Sequence, residues 1–157
     1  MNLRPGVACL AFALLFSSIF LFFSPIVSVA QHAVFRAGAS TANITPPLGE
    51  GIVGNFGVPP PAMHVHDELH ARTLVLDDGK LKLVFVIVDN VGVNREVFDA
   101  ARKLIQDETQ ISGEQVLMSA VHTHSATSAS GIGEKRRGWN VGKPLDDYQR
   151  FLVRRIA

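Results

Sequence analysis

One stretch of this 157-residue chain restricts its fold more than any other: residues 83–88 read Leu-Val-Phe-Val-Ile-Val. Such an unbroken apolar run, rich in β-branched residues, is typical of a central strand buried on both faces of a sheet. A helical pattern follows over residues 95–109, and residues 115–121 again read as a strand. The order strand, helix, strand predicts a βαβ crossover and therefore a sheet that is at least partly parallel.

The surrounding patterns extend this sheet. Residues 34–44 and 69–76 read as strands, and Asp77-Asp78-Gly79-Lys80 predicts a hairpin turn into a strand over residues 81–89. Residues 45–61 are dense in Pro and Gly and predict an ordered loop that lies on the domain. Residues 145–157 begin a helix that has no stop signal. We therefore expect an α/β fold with a mixed, partly parallel sheet and flanking helices, as an incomplete domain.

The first thirty residues predict a cleavable signal segment. Their only charged side chain is Arg4, an apolar run covers residues 7–23, and small residues at 28–30 offer a cleavage site. The alternative is an uncleaved anchor over residues 7–29, which is about the 20 residues that a bilayer needs. Both interpretations predict an exported protein, which is secreted or periplasmic, or anchored in a membrane through residues 7–29.

Composition excludes several functional classes. Fifteen Lys and Arg residues balance fourteen Asp and Glu residues, and the net charge of +1 argues against nucleic acid as a partner. The single cysteine, Cys9, lies in the leader, so the exported part can contain no disulfide, no thiolate metal site and no cysteine nucleophile. The basic run at residues 135–137 predicts a solvated loop, with contact to a membrane surface as the alternative.

Two histidines directly follow the third predicted strand. In an extended segment His122 and His124 would project to the same side, at the carboxyl edge of the sheet where α/β proteins bind ligands. Imidazole is the commonest metal ligand, and zinc is the natural candidate for a site without cysteine. The alternative is a pair of loop histidines that bond to their neighbours.

Other polar residues have weaker patterns. His64, His66 and His70 lie between the Pro-rich loop and the first hairpin strand, as metal ligands or as ordinary loop histidines. Arg72 could form an ion pair at a strand edge or contact an anionic substrate group. Asp89 could orient a ligand histidine or cap the following loop.

Four stretches together resemble the N-terminal domain of the neutral/alkaline (non-lysosomal) ceramidase family. They are residues 37–47, residues 66–74 with Ala71-Arg72 inside, residues 83–89 ending in Asp89, and residues 119–125, Ser-Ala-Val-His-Thr-His-Ser. The last is similar to the family's Thr-His-Thr-His-Ser signature. Together with the leader, the resemblance predicts a signal peptide or anchor at residues 1–30 and a ceramidase-like α/β portion at residues 31–157.

This resemblance implies an exported zinc-dependent amidase that hydrolyses N-acylsphingosine or a related N-acyl lipid. His122 maps to a zinc ligand of the family, and His124 maps to the histidine near the substrate. The family continues its signature with Gly-Pro-Gly-Gly, whereas this chain has Ala126-Thr127-Ser128-Ala129. The family's other zinc ligands, a His, a Glu and a Tyr, lie further downstream, so the resemblance implies the N-terminal portion of such an enzyme.

Two non-catalytic interpretations stay open beside the enzyme. The first is an exported or signal-anchored domain that keeps the fold but lacks a complete zinc site. The second is an anchored envelope protein whose neutral domain binds another protein.

Overall fold

The computed structural model describes residues 34–53, 58–129 and 144–157. Within them, a four-stranded sheet is flanked by two helices and one short 3-10 turn. The elements are β1 (Arg36–Asn43), β2 (His70–Asp77), β3 (Lys82–Val88), α1 (Arg95–Thr109), the 3-10 turn (Gly113–Gln115), β4 (Val116–Ala120) and α2 (Asp147–Ile156). The predicted α/β class and each of the predicted strands and helices are confirmed.

The sheet is mixed, as the crossover pattern predicts. The strand order is β1-β2-β3-β4, with antiparallel pairing of β1 with β2 and of β2 with β3, and parallel pairing of β3 with β4. The register places Asn43 opposite His70, Ala71 opposite Val88, and Val88 opposite Ala120. The ends of β1, β3 and β4 and the start of β2 therefore share one border of the sheet, which we call the site edge.

The predicted hairpin turn between β2 and β3 is held by two aspartates. Asp77 Oδ1 accepts from the backbone N–H of Gly79 at 2.7 Å, and Asp78 Oδ1 accepts from Lys80 N at 2.8 Å and Leu81 N at 2.7 Å. Gly79 has φ +87°, a left-handed conformation that glycine adopts without steric cost. These contacts explain why this short polar sequence reverses the chain.

The two helices cover one face of the sheet. Helix α1 follows Asn94 and buries Val97, Ala101 and Ile105. Helix α2 begins with a capping box, in which Asp146 Oδ1 accepts from Gln149 N at 2.8 Å and Gln149 Oε1 accepts from Asp146 N at 3.0 Å. The core between helices and sheet includes Ile44, Val84, Val86, Val88, Val116, Met118, Leu152 and Ile156.

The opposite face of the sheet is open among the described residues, so the predicted burial of β3 on both faces is wrong there. Leu74, Leu83, Ile87 and Leu117 are 41%, 38%, 38% and 54% exposed. A strand sends alternate side chains to opposite faces, and both described helices pack on the side of Val86. We call the exposed apolar surface formed by Leu74, Leu83, Phe85, Ile87 and Leu117 the open face.

Several sequence predictions lie outside the described residues. These are the leader with its cleavage site or anchor, and the basic run at residues 135–137. In the described ranges, no helix has both the length and the apolar character needed to cross a membrane.

Candidate functional site

His122 lies at the site edge, two residues after β4 ends. Its backbone N–H donates to the carbonyl of Asn90 at 3.1 Å, and its φ is +62°, in the left-handed region. Few residues other than glycine adopt this conformation, and such residues concentrate at functional sites. The expected extended geometry at this position is therefore wrong, because the hydrogen bond to Asn90 turns the chain away from the strand direction.

The imidazole of His122 is fixed by a backbone carbonyl. Its Nδ1 lies 2.6 Å from the carbonyl oxygen of Val91. Since a carbonyl oxygen can only accept, Nδ1 carries the hydrogen, and in the neutral ring Nε2 keeps its lone pair. Metal-binding histidines commonly have this arrangement, in which one ring nitrogen donates to a carbonyl and the other binds the metal.

The side chains of His122 and His124 lie close together, as predicted, although the backbone at His122 is not extended. Their ring centroids lie 4.9 Å apart with an interplanar angle of 69°, an edge-to-face arrangement. Both side chains are exposed. The left-handed turn at His122 thus brings together the two rings that a straight strand would also have placed on one side.

The segment after these histidines lies between two other loops. Val53 of the Pro-rich loop donates from its backbone N–H to Ala126 O at 2.9 Å, while Val91 N donates to Thr127 O at 3.3 Å. Ala129 N donates to Gly92 O at 2.9 Å. The described part of the Pro-rich loop is therefore ordered on the domain, as predicted, and residues 122–129 are held from both sides.

Asn90, which directly follows Asp89 after β3, holds the interior of this arrangement and is fully buried. Its Oδ1 accepts from Gly92 N at 3.1 Å and from Ala129 N at 3.0 Å, and its Nδ2 donates to the hydroxyl of Tyr148 at 3.3 Å. That hydroxyl donates in turn to Ile44 O at 3.1 Å. One amide side chain therefore connects the loops after β1, β3 and β4 with helix α2.

A cleft of about 540 Å³ opens beside these loops. Its lining combines apolar side chains with a few polar groups, the composition typical of small-molecule sites. Residues from the Pro-rich loop and from the segment after His124 share the lining, which includes Thr45, Glu50, Ile52, Met63, His64, Val65, His66, Leu69, Ser125 and Thr127. The candidate site thus consists of the His122–His124 pair and this neighbouring cleft.

Two of the three histidines in the second group contribute to the cleft. His64 and His66 line the cleft, and His66 Nδ1 lies 2.8 Å from Asp67 Oδ2 with both side chains almost fully exposed. His70 begins β2, and its Nε2 lies 3.9 Å from Glu68 Oε2. Among the described residues, no three His, Cys, Asp or Glu side chains are grouped so that they could hold a metal ion.

Arg72 and Asp89 form the predicted ion pair at the strand edge. Arg72 Nη1 lies 2.6 Å from Asp89 Oδ2, and the same oxygen accepts from His70 N at 3.0 Å. The contacts of Asp89 are thus with Arg72 and with the first residue of β2. These two contacts join β2 to the end of β3.

The residues that sequence reasoning missed are the buried polar ones. Asn90, Tyr148 and Gln149 are all less than 6% exposed, and Gln149 Nε2 donates to Ala129 O at 2.8 Å. An Asn after a buried strand and a Tyr in the first turn of a helix were available signals. Their pairing was not visible, because they are 58 positions apart in the sequence.

Comparisons with known proteins agree with this geometry at the level of the fold. The structure is similar to the crystal structure of neutral ceramidase from Pseudomonas aeruginosa, with a TM-score of 0.62 and 20% sequence identity over 78% of this chain. It is also similar to a ceramidase complexed with C2, with a TM-score of 0.57 and 20% identity over 78% of this chain. No protein-family profile matches the chain, and no curated protein sequence matches it.

The chain spans 20% of the length of each of these two structures. At 20% identity the likeness is one of fold. The sequence resemblance to neutral ceramidases, which rests on residues 37–125, is therefore supported by a shared fold that covers about a fifth of a neutral ceramidase.

Proposed function

We propose that this chain is part of an exported zinc-dependent amidase similar to the neutral ceramidases. Its substrate would be N-acylsphingosine or a related N-acyl lipid, with His122 as a zinc ligand and His124 beside the substrate. The observation that carries the proposal is the 2.6 Å contact of His122 Nδ1 with the carbonyl of Val91. This contact leaves Nε2 as the nitrogen suited to a metal.

The donor chemistry of His122 fits zinc, whereas the described residues alone do not complete a zinc site. A catalytic zinc needs about three protein ligands, and no such group exists in the described ranges. The remaining ligands would come from other residues, as the family resemblance implies. When bound, zinc would lower the pKa of a water molecule and polarise the amide carbonyl.

The cleft suits the apolar portion of such a substrate. Ile52, Met63 and Val65 provide apolar contact for an acyl or alkyl chain, and Thr45 and Ser125 provide hydroxyl groups at the same cleft. Hydrolysis breaks the C–N bond of the amide: the acyl carbon gains OH, the nitrogen gains H, and a fatty acid and an amine are released. The ring centroid of His124 lies 4.9 Å from that of His122. In the proposed function, His124 would therefore exchange a proton with a substrate group bound beside His122.

The proposal is tested with the full-length protein that contains this chain and the remaining ligands, and with its variant His122→Asn. Asparagine tolerates the left-handed backbone at this position better than alanine, so this substitution removes the imidazole with less strain. The matched control is His70→Asn, at the start of β2, because His70 does not line the cleft. We measure zinc content and the release of fatty acid from a labelled N-acylsphingosine, with and without a chelator.

The proposal predicts that the zinc-loaded full-length protein releases fatty acid, that chelation stops the release, and that His122→Asn lowers it at least about 100-fold. His70→Asn is expected to stay within about threefold of the unmutated protein, because its ring lies outside the cleft, with Nε2 3.9 Å from the exposed Glu68 carboxylate. A folded, zinc-treated full-length protein that releases no fatty acid would contradict the proposal. It would favour the non-catalytic exported domain, whose thermal melt should be unaffected by a chelator.

A further inference from the structure

Asn90 is a buried polar residue to which the proposed function assigns no role. It is fully buried, and all the polar atoms of its amide are engaged with backbone N–H groups or with the hydroxyl of Tyr148. A buried amide is costly unless its hydrogen bonds are made. The side chain of Asn90 makes these hydrogen bonds and thereby fixes the backbone of the loops around it.

That geometry determines where His122 lies. The main-chain carbonyl of Asn90 accepts from His122 N at 3.1 Å, and the carbonyl of the next residue, Val91, accepts from His122 Nδ1 at 2.6 Å. The side chain of Asn90 closes the turn around Val91 by accepting from Gly92 N at 3.1 Å. The same oxygen accepts a hydrogen bond from Ala129 N at 3.0 Å. This bond fixes the far end of the segment that begins at His122.

We infer that Asn90 is a positioning residue that fixes which ring nitrogen of His122 carries the hydrogen. Its Oδ1 shapes the turn that aims the Val91 carbonyl at Nδ1, and this contact leaves Nε2 with its lone pair. The inference deepens the proposed function and rests on it only for the role of Nε2 in zinc binding. Loss of such an outer partner of a ligand histidine typically lowers metal affinity about 10- to 100-fold.

Asparagine suits this role because it both accepts and donates. Its oxygen accepts from two N–H groups, and its NH₂ group donates to Tyr148, whose own hydrogen goes to Ile44 O. Leucine offers neither function, and ionised aspartate offers no donor. The two hydrogen-bonding functions can therefore be separated by mutation. Asn90→Ala removes both, while Tyr148→Phe keeps the oxygen of Asn90 and removes the partner of its NH₂ group together with the donor to Ile44 O.

The test compares three full-length proteins labelled with ¹⁵N in histidine and held in a mild detergent: the original chain, Asn90→Ala and Tyr148→Phe. Two-bond ¹H–¹⁵N correlations of the zinc-free proteins show which nitrogen of His122 carries the hydrogen, with His122→Asn used to assign its signals. Titration with zinc alone then gives the affinity. Circular dichroism verifies folding, and Asn90→Leu replaces Asn90→Ala if the alanine variant does not fold, since leucine is close to asparagine in size and offers no hydrogen-bond acceptor.

The original chain and Tyr148→Phe are expected to show the hydrogen on Nδ1. Asn90→Ala is expected to show a mixture of both tautomers and a zinc affinity lower by about 10- to 100-fold. An unchanged Nδ1–H signal in folded Asn90→Ala or Asn90→Leu would overturn the inference, because a merely structural residue would lower stability without changing the tautomer. If Asn90→Ala shifts the tautomer but no protein binds zinc, the positioning role stands and the proposed zinc function fails.

Discussion

The Nδ2 atom of Asn90 lies 3.3 Å from the hydroxyl oxygen of Tyr148, although the two residues are 58 positions apart. Because the same hydroxyl donates to Ile44 O at 3.1 Å, the pair joins the loop after β3, helix α2 and the end of β1 at one buried point. Hydrogen bonds of this kind are stronger in a water-free interior, and losing one partner leaves the other unsatisfied. Helix α2 thus stabilises the site edge through its first turn.

The first prediction concerns this hydroxyl. Tyr148→Phe should lower the free energy of unfolding by about 1–3 kcal/mol, because it leaves the buried Asn90 NH₂ group and the Ile44 carbonyl without this partner. Urea denaturation followed by circular dichroism measures the change. Ser119→Ala, which removes an exposed hydroxyl, is the control and should stay within about 0.5 kcal/mol. Equal stability of the Phe variant and the original chain would contradict the prediction.

The second prediction separates the two contacts of Asp89. Arg72→Ala should lower the free energy of unfolding by only about 0.2–1 kcal/mol, because the Arg72 side chain is 54% exposed and water screens the pair. Asp89→Ala should cost more, about 1–3 kcal/mol, since it also removes the acceptor for His70 N. Urea denaturation of both single variants and of the double variant measures the costs and the coupling. A larger loss from Arg72→Ala than from Asp89→Ala would show that the backbone contact is unimportant.

The third prediction concerns the pH dependence of the β2–β3 turn. Hydrogen bonds from the backbone N–H of Leu81 and then of Lys80 hold the pKa of Asp78 below its ordinary value of 3.8. A carboxyl whose pKa is lowered in the folded state contributes stability above its unfolded pKa, and this stability is lost as the pH falls through the folded pKa. Asp78→Asn should therefore be less stable than the original chain near about pH 6, and the difference should shrink near about pH 2. A difference that is constant over this range would rule out the ionised carboxylate as its source.

The fourth prediction concerns the open face. Exposed apolar patches promote association, so the chain expressed by itself should be poorly soluble. Leu117→Thr, at a position 54% exposed, should increase the soluble fraction with little loss of stability, because threonine favours strands. The matched variant Val86→Thr, on the covered face and fully buried, should destabilise the fold. Sedimentation of lysates and thermal melts measure both effects; a monodisperse original chain would refute the prediction.

Much of the fold is local in origin and was therefore predictable. The β-branched run around Val86 specifies β3, the Asp77–Asp78 turn specifies the hairpin, and the apolar stripe of Val97, Ala101 and Ile105 specifies α1. Each signal depends on neighbours within one strand, turn or helix. Burial was less predictable. The same run suggested cover on both faces, whereas the described helices cover only the face of Val86, because the packing of distant elements decides what lies over a strand.

The sequence by itself determined which residues could reach the candidate site, since a His-x-His pair after a buried strand must lie near the carboxyl edge of the sheet. Tertiary structure decided how they are held. His122 adopts a left-handed conformation and its Nδ1 meets the carbonyl of Val91, while Asn90 meets Tyr148. These contacts join segments that are 31 and 58 positions apart. Hydrogen bonds across such separations depend on the folded path of the chain, so no local pattern of residue types could specify them.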